Sequence, residues 1–415
     1  MKGVFVLLDG LGDLPHRLLK DKTPLESANI PNLDFFAARG ELGYLYSVRP
    51  GFVPESDEAV VSIFGNELIS STRGQLEARG AGLKLMRGDL AFRVNFATID
   101  SFEKGNIIDR RVGRTLTTEE AEILAKALNK IKMPVGFLFE PTIQHRAVLI
   151  FRGGYSDNIS GNDITYIQGK IWNSNKITRI NSLDEDENSF YTSNIVNEFL
   201  SKAYDVLKNH PVNIQREKKG LMPANFLLIR GAGIEFPKLK QYKNWMSVVY
   251  MPLENGIASL SGMDVFSFDY PPLEGLDSYE NIYDGLVKAC KFSVKSLKNY
   301  YKKYDYAYIH IKETDLPGHD NKPLEKKEMI EYVDKTLFKF LREFAPPNKI
   351  KVLVTGDHST PCKFKNHSAD PVPVLFYIPD KLIPREKHFS EKEARFGEFG
   401  KVVGGELLKK AGFVK

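Results

Sequence analysis

Cysteine is nearly missing from this chain: Cys290 and Cys362 are its whole complement in 415 residues. Two cysteines cannot build the disulfide framework of a small secreted scaffold, and they suit a reducing compartment. Long apolar runs are missing too. The best of them, residues 4–8 and 147–151, stop far short of the roughly 20 residues that a membrane-crossing helix requires. The apolar stretch after Lys2 ends at Asp9 without a small-residue cleavage site, so it does not read as a secretory signal. No charge of one sign prevails. Fifty-eight Lys and Arg against 53 Asp and Glu leave +5, too little for a dedicated nucleic-acid binder yet compatible with a local anion pocket. The chain is therefore expected in the cytoplasm, with no membrane and no nucleic-acid partner. Oligomeric state has no signature in it.

What the chain does have is material for a large core, with 42% hydrophobic and 27% charged residues, enough at about 100–200 residues per domain for two domains. Residues 2–8 form a β-rich run closed by Asp9-Gly10-Leu11-Gly12. Residues 304–311 lead into Lys312-Glu313-Thr314-Asp315, 350–355 into Gly356-Asp357-His358, and 372–378 read as a fourth strand. Between them lie helical patterns. One starts at Asp277 with Ile282, Leu286, Ala289, Ser293 and Leu297 on one face; another starts at Pro323 with Ile330, Val333, Leu337, Leu341 and Phe344. Such alternation predicts an α/β fold with a mostly parallel sheet. The middle differs in texture. Residues 153–194 are rich in Asn, Ser, Asp and Gly, flanked by an amphipathic helix with Ala121, Leu124, Leu128 and Ile131 and by strand-like runs at 135–139, 147–151 and 226–229. A second, α+β domain is expected inside the first: 75–245 inserted between 1–74 and 246–415.

Asp315, His319, Asp357, His358 and His367 gather near the C-terminus, after two successive predicted strands. In open α/β sheets ligands bind beyond the carboxyl ends of strands, so these side chains should meet at one edge, and Asp9 joins them from the first strand. Mixed carboxylate and imidazole ligands suit Mn, Zn or Co, with Mg where oxygens dominate, and the set suffices for two ions. His16, His210, His310 and His388 stand alone and read as solvated or core histidines. Ser56, in Pro54-Glu55-Ser56-Asp57 ahead of an apolar run, reads first as a helix N-cap with Ala59 at N3. A nucleophile activated by metal is the other reading, because no Gly-x-Ser-x-Gly elbow or His/Asp arrangement is visible. Arg93 and Asn95, then Arg110, Arg111 and Arg114, then His145 and Arg146, fall in the expected insertion. Guanidinium forks match phosphate and carboxylate; a solvated charged face is the alternative. Gly10-Leu11-Gly12 is no dinucleotide fingerprint, since Pro15 stands where the third glycine would be.

Taken together, Asp9-Gly10, Pro54-Glu55-Ser56-Asp57, Glu313-Thr314-Asp315, Gly318-His319-Asp320, Asp357-His358-Ser359-Thr360-Pro361-Cys362 and His367-Ser368 resemble the cofactor-independent phosphoglycerate mutases of archaeal type. The resemblance runs on through Gly88-Asp89-Leu90-Ala91-Phe92-Arg93-Val94-Asn95-Phe96, Asp109-Arg110-Arg111-Val112-Gly113-Arg114 and His145-Arg146-Ala147-Val148 to Gly397-Glu398-Phe399-Gly400. It implies an alkaline-phosphatase-like three-layer core with an inserted lid. It also implies that Asp9, Ser56, Asp357 and His358 hold one divalent ion and Asp315, His319 and His367 a second, manganese first, with magnesium, cobalt or zinc as alternatives, and that 2,3-bisphosphoglycerate is not needed. Ser56 would be the phosphorylated nucleophile. Arg93, Asn95, Arg111, Arg114, His145 and Arg146 would grip the substrate, 3-phosphoglycerate or 2-phosphoglycerate. Glu254-Asn255-Gly256-Ile257 stands where the family carries a lysine before Gly-Ile, so the resemblance implies either weaker substrate binding or Lys312 as the cation for phosphate. A metal-dependent phosphohydrolase or phosphonate hydrolase on the same scaffold is the competing activity, and a metal-stabilised binding protein without turnover a third reading.

Overall fold

The computed structural model describes every residue except 68–72, 164–165, 168–169, 172–174, 276, 380–384 and 415, and describes 166, 167 and 171 by backbone alone. Part of the Asn- and Ser-rich stretch 153–194 thus lies outside the described residues. The strands, in chain order, are β1 (Gly3–Leu8), β2 (Gly40–Tyr46), β3 (Leu90–Ile99), β4 (Ile107–Asp109), β5 (Phe137–Pro141), β6 (Arg146–Phe151), β7 (Tyr166–Ile167), β8 (Lys170–Ile171), β9 (Phe226–Gly233), β10 (Trp245–Val248), β11 (Asp264–Phe266), β12 (Tyr306–Ile311), β13 (Lys351–Thr355), β14 (Val372–Tyr377) and β15 (Gly400–Val403).

Eight of these make one sheet in the order β11-β10-β12-β1-β13-β14-β2-β15. All neighbouring pairs are parallel except those of β14, which runs against both β13 and β2. The four strands read from sequence are all in it. Strand β1 is buried along its whole length, and its period of two splits it between layers: Val4, Val6 and Leu8 join one hydrophobic cluster, Phe5 and Leu7 another. Helices cover both faces. On one side lies Ser278–Tyr300, started as expected by Asp277, whose carboxylate accepts from Tyr279 N at 2.8 Å. Beside it is Pro323–Val333, which does not continue as one regular helix: residues Asp334–Phe338 widen into a π turn before Lys339–Phe344. There the Asp334 carboxylate accepts from Leu33 N at 2.7 Å and Asn32 Nδ2 at 2.9 Å, a tertiary demand that helical periodicity does not reveal.

The remaining strands form an antiparallel five-stranded sheet, β4-β3-β6-β5 with β9 also on β3, and the small hairpin β7-β8. Helices Thr118–Leu128 and Glu187–Lys208 cover one face, meeting Phe92, Val94 and Phe96 of β3 in a common cluster. The first helix stops short of Ile131 because Asn129 leaves it to pair with Phe139, accepting its N–H at 2.9 Å and donating to its carbonyl at 2.8 Å. The second starts inside the Asn- and Ser-rich stretch, capped by Asp186, which accepts from Asn188 N at 2.7 Å. Helix Arg73–Gly80 lies between β3 and helix Pro252–Leu260 and joins the two sheets. Its contacts admit no side chain: a methyl group at Gly74 would overlap the Ala91 carbonyl, one at Gly80 the Pro252 carbonyl, and one at Gly256 the Leu76 carbonyl.

Candidate metal centre and anion cavity

Three adjacent parallel strands release their loops at the same rim: β1 into Asp9, β12 into the segment reaching Asp315 and His319, β13 into Asp357 and His358. His367 approaches just ahead of β14, and Ser56 opens helix Ser56–Ile63. Ser56 is the first helical residue rather than the N-cap. Glu55 takes that position, because the Glu58 carboxylate reaches back to accept Glu55 N at 2.9 Å, a capping partner one residue earlier than the expected Ala59. The Ser56 Oγ lies 3.3 Å from His358 Nε2. That nitrogen is also 3.3 Å from Asp357 Oδ2 and 3.6 Å from Asp9 Oδ1. Next to it, Asp315 Oδ2 is 3.3 Å from His319 Nε2 and Asp315 Oδ1 4.0 Å from His367 Nε2. The His358 and His367 rings stack at 3.6 Å.

Hydrogen-bond partners assign the tautomers. The Thr360 hydroxyl donates to Asp315 Oδ1 at 2.7 Å, so at 3.0 Å it accepts from His358 Nδ1. His319 Nδ1 donates to the Lys365 carbonyl at 3.1 Å, and His367 Nδ1 to that of Pro54 at 2.7 Å. In a neutral ring Nε2 then carries a lone pair, and all three Nε2 atoms face carboxylate oxygens. Burial brings His358 down to about 4 and His367 well below its ordinary range, so those two rings are neutral. Electron-rich atoms turned on one another call for cations between them. The buried Asp9 Oδ1 and Asp357 Oδ2, which have no hydrogen-bond partner among the described residues, point the same way, and the nitrogen and oxygen donors suit a divalent first-row metal. His310 is built differently. Its Nε2 meets Asp9 Oδ2 at 3.0 Å and its Nδ1 the Tyr308 hydroxyl at 2.8 Å, leaving it a core histidine that orients Asp9. Lys312 Nζ bonds Asp9 and sits 2.8 Å from Glu254 Oε1. Burial opposes its charge, but the two carboxylates outweigh burial and hold it protonated.

A cavity of about 780 Å³ separates this rim from the antiparallel sheet. Register explains its far wall. Residues opposite one another across an antiparallel pair share a face: Asn95 stands opposite Arg146, and Arg93 opposite Arg230, on the side away from Phe92 and Val94. Arg111, Arg114 and His145 complete the wall, and Ser56, Lys312, Asp315, His319 and His367 line the other side. Burial first, then neighbouring guanidiniums, depress Arg93 well below its ordinary range and bring Arg111 to about 10. The same causes hold His145 neutral. Cations crowded enough to weaken one another make a site that an anion relieves. Two of the expected contacts are engaged within the protein: Arg114 pairs with Asp320, which also accepts from the Tyr279 hydroxyl at 2.7 Å, and Arg93 Nε lies 3.4 Å from Glu77. Arg110 pairs with Asp163 at 3.0 Å.

Several groups at the site were not read from sequence. Arg73 and Arg230 both pair with Glu55, the latter at 2.5 Å; burial would raise that carboxyl, yet the arginines bring it down to about 2. Arg230 could be recognised only from the pairing of β9 with β3. Thr360 stood in the motif after His358, but its link to Asp315 needs a second strand.

A rim of Asp, His and Ser donors on a three-layer α/β core defines a metal-dependent enzyme class, and residues 282–413 match the family model described as the metalloenzyme superfamily. Residues 37–213 match that of 2,3-bisphosphoglycerate-independent phosphoglycerate mutase. Curated proteins of that name are 41% identical in Thermococcus kodakarensis and 40% in Pyrococcus furiosus, each alignment covering 98% of this chain and 95% of the relative. A solved Pyrococcus horikoshii protein superposes with a TM-score of 0.75 at 31% identity, covering 100% of this chain and 98% of that one. A cofactor-independent phosphoglycerate mutase from Thermoplasma acidophilum gives 0.55 at 28%, covering 99% and 98%. The chain belongs to the 2,3-bisphosphoglycerate-independent phosphoglycerate mutase family.

Proposed function

We propose that this protein interconverts 3-phosphoglycerate and 2-phosphoglycerate through a phosphoserine at Ser56, as a step of glycolysis and gluconeogenesis. The observation that carries the reading is the 3.3 Å approach of Ser56 Oγ to His358 Nε2, in a cavity whose opposite wall is rich in arginine. Asp9, Ser56, Asp357 and His358 would hold one divalent ion, and Asp315, His319 and His367 a second. Manganese is the first choice, with magnesium, cobalt or zinc as alternatives. When bound, the ions would supply Lewis acidity that favours the Ser56 alkoxide and offsets charge on phosphoryl oxygens.

The chain's own groups do the rest. The amino end of helix Ser56–Ile63 favours a phosphate at Ser56, and Lys312 adds an ammonium on the same side. Arg93, Arg111, Arg114 and Arg146 grip phosphate and carboxylate as bidentate forks, while Asn95 and His145 add hydrogen bonds. Ser56 Oγ gives up its proton and takes the phosphoryl group from the 3-oxygen of the substrate, which leaves as a hydroxyl bearing that proton in net. The glycerate, still held, turns, and its 2-hydroxyl gives up its proton and recovers the group, while Ser56 Oγ regains a proton. Keeping water out during that turn separates a mutase from a phosphohydrolase, so residues 75–245 are proposed as a lid over a core of 1–74 and 246–415. The 74/75 junction falls inside helix Arg73–Gly80. Among the described residues no helix is long and apolar enough to cross a membrane; a cytoplasmic enzyme with a small-molecule partner, and no nucleic-acid or membrane partner, is the reading we adopt.

The test incubates Mn2+-loaded protein with 3-phosphoglycerate and follows 2-phosphoglycerate and free phosphate together. We expect 2-phosphoglycerate in large excess over phosphate, and both lost in Ser56→Ala with the fold intact. Phosphate as the main product would instead establish the hydrolase. Near-normal interconversion by Ser56→Ala would remove the serine from the mechanism.

A further inference from the structure

We infer that Lys326, through its buried ion pair with Asp13, is the positioning residue that sets the spacing of the ligand-bearing loops, an inference that rests on the two-ion reading above. Lys326 lies on helix Pro323–Val333, outside the cavity lining, and both it and Asp13 have fully buried side chains. Its ammonium donates in three directions: to Asp13 Oδ2 at 2.8 Å, to the Gly12 carbonyl at 3.2 Å and to the Thr360 carbonyl at 3.0 Å. Gly12 belongs to the loop that follows Asp9, and Thr360 to the loop that carries Asp357 and His358. One cation thus draws two of the three loops to a single point.

Asp13 extends the hold. Its Oδ1 accepts from Leu14 N at 2.8 Å and Cys362 N at 3.1 Å, fixing the chain on either side. Cys362 Sγ donates to Asp13 Oδ2 at 3.2 Å and lies 3.8 Å from the Pro317 carbonyl, between Asp315 and His319, so the third loop is touched as well. Thr360 passes the position onward: its carbonyl is held by Lys326 while its hydroxyl bridges His358 Nδ1 and Asp315 Oδ1. A shift of Thr360 would therefore turn His358 and Asp315 together.

The choice of a charge at this spot is informative. Burial opposes the ammonium, but Asp13 outweighs burial and raises Lys326 above its ordinary value. A buried ion pair seldom stabilises a fold more than apolar residues of equal volume. The two loops meet through an isolated bridge at Ser359 and one backbone bond, from Thr360 N to the Gly12 carbonyl at 2.9 Å; three donors on one nitrogen add a buried clamp that fixes this short contact, and groups that orient metal ligands typically change metal affinity by about 10–100-fold.

The experiment uses the full chain with both charges removed, Asp13→Asn/Lys326→Met, so that neither is left unpaired. Mn2+ affinity is measured by calorimetry, and ligand geometry by the visible spectrum of Co2+-loaded protein. We expect circular dichroism close to wild type, Mn2+ binding weakened about 10–100-fold and an altered Co2+ spectrum. A folded double variant that binds Mn2+ like wild type with an unchanged Co2+ spectrum overturns the inference and leaves the metal reading intact. If the double variant does not fold, Asp13→Asn alone is read in the same way, and unchanged affinity and spectrum in it overturn the inference. Wild-type protein that binds neither ion overturns the two-ion reading and this inference with it.

Discussion

A single hydroxyl decides what His358 can do. Thr360 spends its hydrogen on Asp315 and so obliges His358 Nδ1 to donate, which frees Nε2 for the face shared by Ser56, Asp9 and Asp357. Thr360→Val removes this control at nearly constant volume. We expect a folded protein whose Mn2+ affinity drops about tenfold or more, measured by calorimetry. Glu391 makes a second prediction. It accepts from Asp13 N at 3.2 Å and from the Thr23 hydroxyl at 2.6 Å, and burial pushes its carboxyl up to about 7. A folded value raised above the unfolded one means that stability is lost as pH rises from about 4.5 to about 7 and is level beyond. Glu391→Gln, which copies the protonated form, should melt close to wild type near pH 4.5 and increasingly above it up to pH 7, an advantage of up to about 3 kcal/mol. A difference independent of pH would count against the raised carboxyl. The candidate ligands Asp9, Asp357 and His358 were legible in sequence because they stand just beyond apolar runs, whereas Ser56 precedes one and read first as an N-cap. The direction of the Thr360 bond was not, since its acceptor arrives from another strand.

Elements tell a different story. Buried strands β1, β12 and β13 were readable because burial on both faces makes them continuous apolar runs. The long strand β3 was missed because Arg93 and Asn95 interrupt its apolar pattern, and those two residues are turned to the cavity. Its partner Arg230 was missed for a related reason: strand pairing is not written in local periodicity. The exposed and short strands β11 and β15 carry too few residues to signal themselves. Helix packing yields a prediction at this scale. Gly256 meets the backbone of Leu76 with no room for a methyl group. Gly256→Ala should therefore destabilise the protein by about 1–3 kcal/mol despite alanine's better helix propensity, read as a lower Tm. Equal or raised Tm would show that the two helices can part.

Across the whole molecule, the α/β class and the mostly parallel sheet were legible, and of the antiparallel sheet the runs that became β5, β6 and β9 were read but not their pairing. Because the candidate ligands come from loops of separate strands, ion binding and stability should be linked. Treatment with a chelator is expected to stop turnover and lower Tm, and Mn2+ at about 100 times its Kd should restore about 2.7 kcal/mol. Unchanged melting with and without the ion would separate the metal from the fold.

The reversed strand β14 has a consequence for how such a centre can be altered. Since β13 leaves the sheet at the rim where β14 enters it, the span from Asp357 to Val372 starts and finishes on one side of the molecule. It carries Asp357, His358, Thr360 and His367 as a contiguous cassette. Exchanging that cassette between relatives would carry these four side chains across together, without rethreading any other part of the chain.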